Sequence, residues 1–336
     1  MGDYKKEIKI AFEDFGSAQE PMMRYFKSLL SPQYNVKICD TPDYLFYSVF
    51  GNKHHEYNCV KICFIGENVV PNFNYCDYAI GFHHLTFEDR YLRFPLWCMY
   101  KNELEILKNR RSLLPAKALN RKFCARVVSN RKIGDGIREL FFDKLSAYKK
   151  VDSGGRYKNN VGGPVKNKEA FLKKYKFSLA FENTSAHGYC TEKLLQAFAA
   201  DTVPIYYGDE TAVQDFNPKA FVNLHDFKTM DEAVAYIQTL DQNDEAYLKM
   251  LNEPAFADDK VLQKYSDEKV FQFLNHIFSK PLEQARHFTN IRHFAEVDYV
   301  YMKKRYVEAV VKWYLKRSVK KWFGIKEKDR DLIKEE

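Results

Sequence analysis

The chain has 336 residues and a net charge of +8, from 53 Lys and Arg against 45 Asp and Glu. That is long enough for two α/β domains of ordinary size, and the charge favours anionic partners such as nucleotide phosphates, nucleic acid or acidic lipid. Hydrophobic residues make up 46%, so a large core can form, while no stretch approaches the ~18 apolar residues of a membrane span. The seven cysteines are odd in number and include no C-x-x-C pair, which argues against a disulfide framework and for reduced, buried thiols. The start, Met1-Gly2-Asp3-Tyr4-Lys5-Lys6, lacks an apolar signal core, and Lys6 spoils a myristoylation pattern. The expected location is cytoplasmic, at most peripheral on the inner face of the cytoplasmic membrane.

In chain order, Ile8–Phe12 reads as a strand. Ser17 and Glu20 have capping-box spacing, opening a helix to Leu30. Strands follow at Val36–Cys39, Tyr44–Phe50, Val60–Ile65 and Asp77–Phe82. The charged run 101–120 reads as a helix plus linker. Alternation then restarts: a strand at Phe123–Val128, a helix at Gly134–Tyr148 with Ile137, Leu140, Phe141 and Leu145 on one face, and a Gly-, Asn- and Lys-rich loop at Lys150–Lys168. A strand at Phe177–Phe181, a helix at Thr191–Ala200, a strand at Val203–Tyr207 and a helix at Asp231–Thr239 complete the pattern. Two successive α/β units predict two Rossmann-like halves, with ligands beyond the carboxyl ends of the strands.

Three strand ends carry candidate chemistry. In Phe64-Ile65-Gly66-Glu67-Asn68, Glu67 reads either as a general base projecting into a crevice or as a solvated turn carboxylate. Ser129 and Asn130 follow the next strand, and Arg138 falls in the first turn of a helix, where it reads as a fork onto phosphate oxygens or as a surface arginine. The densest block closes a strand with Phe181-Glu182-Asn183-Thr184-Ser185 and opens a helix with His187-Gly188-Tyr189-Cys190-Thr191-Glu192-Lys193. Thr191 suits a cap, Glu192 an acceptor from hydroxyls, Lys193 a diphosphate and Tyr189 a ring face. A well-capped helix start explains Thr191 and Glu192 but not Asn183, Tyr189 and Lys193 together. The aromatics, 23 Tyr and 27 Phe, suit stacking on bases and sugars or an aromatic-rich core.

Nicotinamide and P-loop readings lose support, since neither GxGxxG nor GxxxxGK[ST] occurs. His54-His55 and His83-His84 are adjacent pairs and do not set two ligands on one helix face. The sole Asp-x-Asp, Asp329-Arg330-Asp331, lies in the charged tail, so Arg and Lys rather than a metal are expected to neutralise a leaving diphosphate. A nucleic-acid- or lipid-binding protein would account for the charge but not for the 181–193 block, and no nucleic-acid fold signature is present.

Lys176–Asp209 (KFSLAFENTSAHGYCTEKLLQAFAADTVPIYYGD) and Asp215–Phe227 closely resemble the donor-site block of the α-1,3-fucosyltransferases of glycosyltransferase family 10, particularly the Helicobacter-type enzymes. Ile65–Phe82 and Asp89–Pro95 resemble the amino-terminal domain of the same family, so the likeness covers roughly residues 60–250. Ala186-His187 stands where those enzymes carry Gly-Tyr, Tyr207 stands where they carry Trp, and the heptad repeats of some members are missing.

The resemblance implies an α/β chain of GT-B architecture. Residues 1–118 would form the acceptor domain, 119–285 the GDP-fucose domain, and 286–336 helices with a basic amphipathic tail. It implies inverting transfer of L-fucose from GDP-β-L-fucose to the 3-hydroxyl of GlcNAc in Galβ1,4GlcNAc-type glycans. Another linkage (α-1,4 or mixed) or another sugar nucleotide is the alternative. Glu67 would be the base, and Arg138, Asn183, Tyr189, Glu192 and Lys193, with Ser129 and Asn130 beside them, the donor contacts. No cofactor is expected, with a divalent metal at most stimulatory. The partners are GDP-fucose and a lactosamine-type glycan, with no nucleic acid. Residues 303–323 read as a surface for anionic membrane or as a helix packed back on the fold.

Overall fold

The computed structural model describes residues 5–129, 136–258, 260–287 and 306–311. By contact the chain separates into two units, Met1–Arg286 and His287–Glu336. Of the second unit the described part is His287 and a helical run at 306–311. Most of the basic segment 303–323 and the candidate donor contact Asn130 therefore lie outside the described residues.

The larger unit holds two sheets. The first is built from β1 (Lys6–Glu13), β2 (Tyr34–Ile38), β3 (Tyr44–Tyr47), β4 (Val60–Phe64), β5 (Tyr78–Gly81) and β6 (Tyr91–Arg93), in the order β2-β1-β3-β4-β5-β6. Every pairing is parallel. Strands β3, β4 and β5 are buried along their whole length, as expected where both faces of a parallel sheet are covered. The second sheet comprises β7 (Lys122–Arg126), β8 (Val151–Ser153), β9 (Tyr175–Phe181), β10 (Val203–Tyr207) and β11 (Val222–Asn223). Its order is β11-β10-β9-β7-β8, again all parallel.

The helices are α1 (Gln19–Leu30), α2 (Lys101–Lys108), α3 (Pro115–Leu119), α4 (Ile137–Tyr148), α5 (Lys168–Leu172), α6 (Glu192–Ala199), α7 (Met230–Gln242), α8 (Asp244–Asn252), α9 (Val261–Lys264), α10 (Asp267–Ser279) and α11 (Leu282–Ala285). Helix α1 buries Met22, Phe26 and Leu30, each side chain contributing about 1.5–3 kcal/mol. Helix α10 returns the chain to the first sheet. Its Phe278 ring packs 4.5 Å from Tyr44 and 5.6 Å from Tyr34, and Tyr34 donates to Asn275 at 2.6 Å.

Some local expectations are corrected. The capping box at Ser17–Glu20 does not form: a 3-10 turn occupies Gly16–Ala18, and α1 starts without a side-chain cap. Gln19 instead donates to the Phe12 carbonyl and accepts from the Phe15 N–H at 3.2 Å. On α4, Leu140 is 59% exposed and the buried face holds Arg138, Phe141, Phe142 and Leu145. The run Lys150–Lys168 is not all loop, because Val151–Ser153 pairs with β7 as an edge strand. Edge strands β6 and β11 are likewise short, with three and two residues, too few to show a period. Six of the seven cysteines are buried, Cys39 is half-buried, and all are free thiols.

The two sheets meet through a layer of aromatic and charged side chains. Trp97 lies 5.4 Å from Phe216 and 5.6 Å from Phe256. Arg93, at the end of β6, donates to Asp215 at 2.9 Å and to the Phe82 carbonyl at 2.9 Å. Tyr265 accepts from Arg93 and donates to Asp215 at 3.0 Å.

Candidate active site

The carboxyl ends of β7 and β9 and the amino ends of α4 and α6 surround a cavity of about 250 Å³. Its walls include Ser129, Arg138, Asn183 and Lys193, together with Arg126 and Lys168. Four of the residues expected from the sequence to hold a donor thus converge on one space, in the position the strand-end rule assigns to ligands.

Arg138 sits in the first turn of α4 with its body buried, and its Nη1 donates to Asn183 Oδ1 at 3.0 Å. Arg126, closing β7, is almost fully buried. Its guanidinium lies 3.5 Å from the Phe142 ring centroid and donates to Glu139 at 3.4 Å. Two guanidinium groups therefore border the cavity at a helix amino end, a setting that attracts anions.

Lys193 is held by three oxygens. Its ammonium donates to Glu182 at 2.8 Å and to Thr191 Oγ1 at 2.7 Å, and pairs with Glu192 at 3.3 Å. Burial alone would lower its pKa, but Glu182 and then Glu192 outweigh it and hold the amine well above its ordinary value. Glu182 has no exposed surface, and burial pushes its carboxyl up against the pull of Lys193. Glu192 is half-buried; burial would raise its carboxyl, but Lys193 and then Lys168 bring it below the usual range. Thr191 precedes α6 without capping it, because its hydroxyl is turned to Glu182 at 2.7–2.8 Å.

Tyr189 does not present a free ring face to the cavity. It is buried and packs 4.9 Å from Phe82, at the end of β5. Burial first, then the carboxylates of Glu182 and Glu67, raise its pKa, so its phenol lies in the field of groups from both halves. Glu67 is half-buried in the turn after β4. Its neighbour Asn68 donates to Thr184 Oγ1 at 2.6 Å, which ties that turn to the loop after β9. Gly188 makes the close approach possible. It has φ +84°, and a Cβ there would collide with the Phe82 carbonyl oxygen.

Sequence reasoning passed over Glu182, Arg126 and Lys168. The available signal was a charged residue closing an apolar strand, Phe181-Glu182 and Ala125-Arg126, where nothing but a partner can make burial affordable. Among the described residues, no group of three or more His, Cys, Asp or Glu side chains is arranged to hold a metal ion. Among them also, no helix is long and apolar enough to cross a membrane.

Two all-parallel sheets, with a cavity beyond the strand ends of the second, give the GT-B fold of a glycosyltransferase. Residues 10–100 match the α-(1,3)-fucosyltransferase FucT N-terminal domain, and residues 117–253 match the C-terminal domain of glycosyltransferase family 10 (fucosyltransferase). The chain is 38% identical to an α-(1,3)-fucosyltransferase FucT of Helicobacter pylori over 289 residues, which is 73% of this chain and 60% of that one. It superposes on the crystal structure of an α1,3-fucosyltransferase with GDP-fucose with a TM-score of 0.70 and 33% identity, over 83% of this chain and 93% of that one. The fold alone is shared with Anabaena Alr3699/HepE in complex with UDP-glucose, at 9% identity and a TM-score of 0.50, over 81% of this chain and 100% of that one. The chain belongs to the fucosyltransferases of glycosyltransferase family 10.

Proposed function

We propose that this protein transfers L-fucose from GDP-β-L-fucose to the 3-hydroxyl of GlcNAc in a Galβ1,4GlcNAc-type glycan, with inversion at the anomeric carbon. The observation that carries this reading is the joining of two kinds of group at one cleft. Arg138 and Lys193 line a single cavity, and the Glu67 turn is tied to its rim by the Asn68–Thr184 hydrogen bond.

In this mechanism GDP occupies the cavity of the second sheet, its diphosphate against Arg138 and Lys193. Glu67 takes the proton from the acceptor hydroxyl as that oxygen attacks the anomeric carbon from the face opposite GDP. The bond from the anomeric carbon to the phosphate oxygen breaks, and the charge growing on that oxygen is met by the two cations, through an oxocarbenium-like transition state. A positioned base contributes about 10²–10⁴-fold. The cationic side chains supply the charge for which other transferases use a metal, so metal-independent transfer is part of the proposal. The relative that the chain spans for 60% of its length is named as an α-(1,3)-fucosyltransferase, which supports the linkage.

Incubation of the full chain with GDP-fucose and matched lactosamine and lacto-N-biose acceptors, with linkage read by mass spectrometry, tests the reading. The α-1,3-fucosylated lactosamine is the expected product, formed in the presence of a chelator. Transfer to lacto-N-biose alone, or turnover only with another sugar nucleotide, would replace it.

A further inference from the structure

Glu182 is a fully buried carboxylate at the end of β9 that every neighbouring element serves. Its Oε1 accepts from the Thr191 backbone N–H at 2.8 Å, and both oxygens accept from the Thr191 hydroxyl. Oε2 accepts from Lys193 at 2.8 Å. The adjoining strand β10 is followed by Gly208, where a Cβ would lie 2.5 Å from Glu182 Cγ and 2.8 Å from its Cβ, so the backbone leaves the space that the Glu182 side chain fills. Burying a carboxylate is costly unless it is paired and hydrogen-bonded. A hydrophobic residue would close β9 without that cost, yet would leave the Lys193 ammonium without its nearest counter-charge.

Resting on the reading of Lys193 as a contact to the departing diphosphate, we propose that Glu182 is the positioning residue of the donor site. It fixes the Lys193 ammonium at the lip of the cavity, and the Thr191 N–H and hydroxyl hold its own carboxylate in place. It touches neither substrate in this scheme and acts only through Lys193.

The test is a double-substitution cycle on the full chain: wild type, Glu182→Gln, Lys193→Ala and the double variant, each measured for GDP affinity by calorimetry and for transfer by steady-state kinetics. Glu182→Gln keeps the volume and removes the charge. It is expected to lower kcat by ~10–100-fold, the scale on which groups that orient a ligand residue act at metal sites, with a smaller change in donor KM. In the Lys193→Ala background the same substitution is expected to cause no further loss, because the residue it acts through is gone. Glu182→Asp, which keeps the charge, is expected to recover part of kcat, and it carries the same cycle should Glu182→Gln not fold. Losses that multiply in the double variant, or an unchanged kcat in Glu182→Gln, would overturn the proposal. If the wild-type chain binds GDP but transfers no fucose, the donor reading fails separately. The cycle is then judged on GDP affinity, where a change that persists in the Lys193→Ala background counts against Glu182.

Discussion

Arg138 and Lys193 differ in how they are held, and their variants should differ accordingly. Arg138 donates to Asn183 among its contacts, whereas Lys193 sits between two carboxylates. Arg138→Ala removes a forked cation and should weaken GDP affinity by about 1.5–3 kcal/mol, the usual scale for a charged hydrogen bond. Arg138→Lys should recover little of it, because a point charge does not reproduce a planar fork. Calorimetric titration with GDP checks both, and a full recovery by lysine would mean that charge alone matters at this position. His83 bears on pH. Its imidazole is held below its ordinary value by burial first and by His84 second. A depressed folded-state pKa means that the neutral form is favoured in the fold, so the stability it carries is full above the unfolded pKa of ~6.5 and lost as pH falls below it. Thermal unfolding followed from pH 8 to pH 5 should show a decline that His83→Gln reduces.

At the scale of elements, the site depends on loops after parallel strands approaching one another closely. The left-handed Gly188 and its contact with the Phe82 carbonyl join the loop before α6 to the end of β5. Gly188→Ala meets both backbone strain and a collision, and should cost ~1–3 kcal/mol of stability. The same variant should raise donor KM, because Tyr189 and the start of α6 shift with the loop. Differential unfolding and steady-state kinetics on one preparation would show whether the two effects travel together. The elements that were legible in the sequence are those with a strong period or an uninterrupted apolar run, such as β1, β4, β9 and α6. Edge strands β6, β8 and β11 were not, since two or three residues carry no pattern and their pairing is fixed by neighbours distant in sequence. The site was legible to the same degree. Asn183, Glu192 and Lys193 stand out because polar residues interrupt an apolar context, but which of them meets a ligand and which meets Glu182 is decided by tertiary packing. Tyr189 shows the limit, since an aromatic read as a ligand face is buried against Phe82.

In the larger unit, the apposition of the two sheets brings the turn that carries Glu67 beside the loop after β9, which borders the cationic cavity. Arg93, Asp215 and Tyr265 hold that apposition with a pair whose side chains are 12% and 3% exposed. Arg93→Met leaves Asp215 buried without its cation and should cost about 3–5 kcal/mol, more than replacing both residues together by apolar ones. A chemical-denaturation series on Arg93→Met, Asp215→Leu and the double variant checks this order. The central claim, that a base on the first sheet serves a nucleotide held by the second, is tested most directly by Glu67→Gln. Turnover with GDP-fucose and lactosamine should fall by about 10²–10⁴-fold while GDP affinity stays at the wild-type value. Turnover close to wild type in that variant would contradict the account.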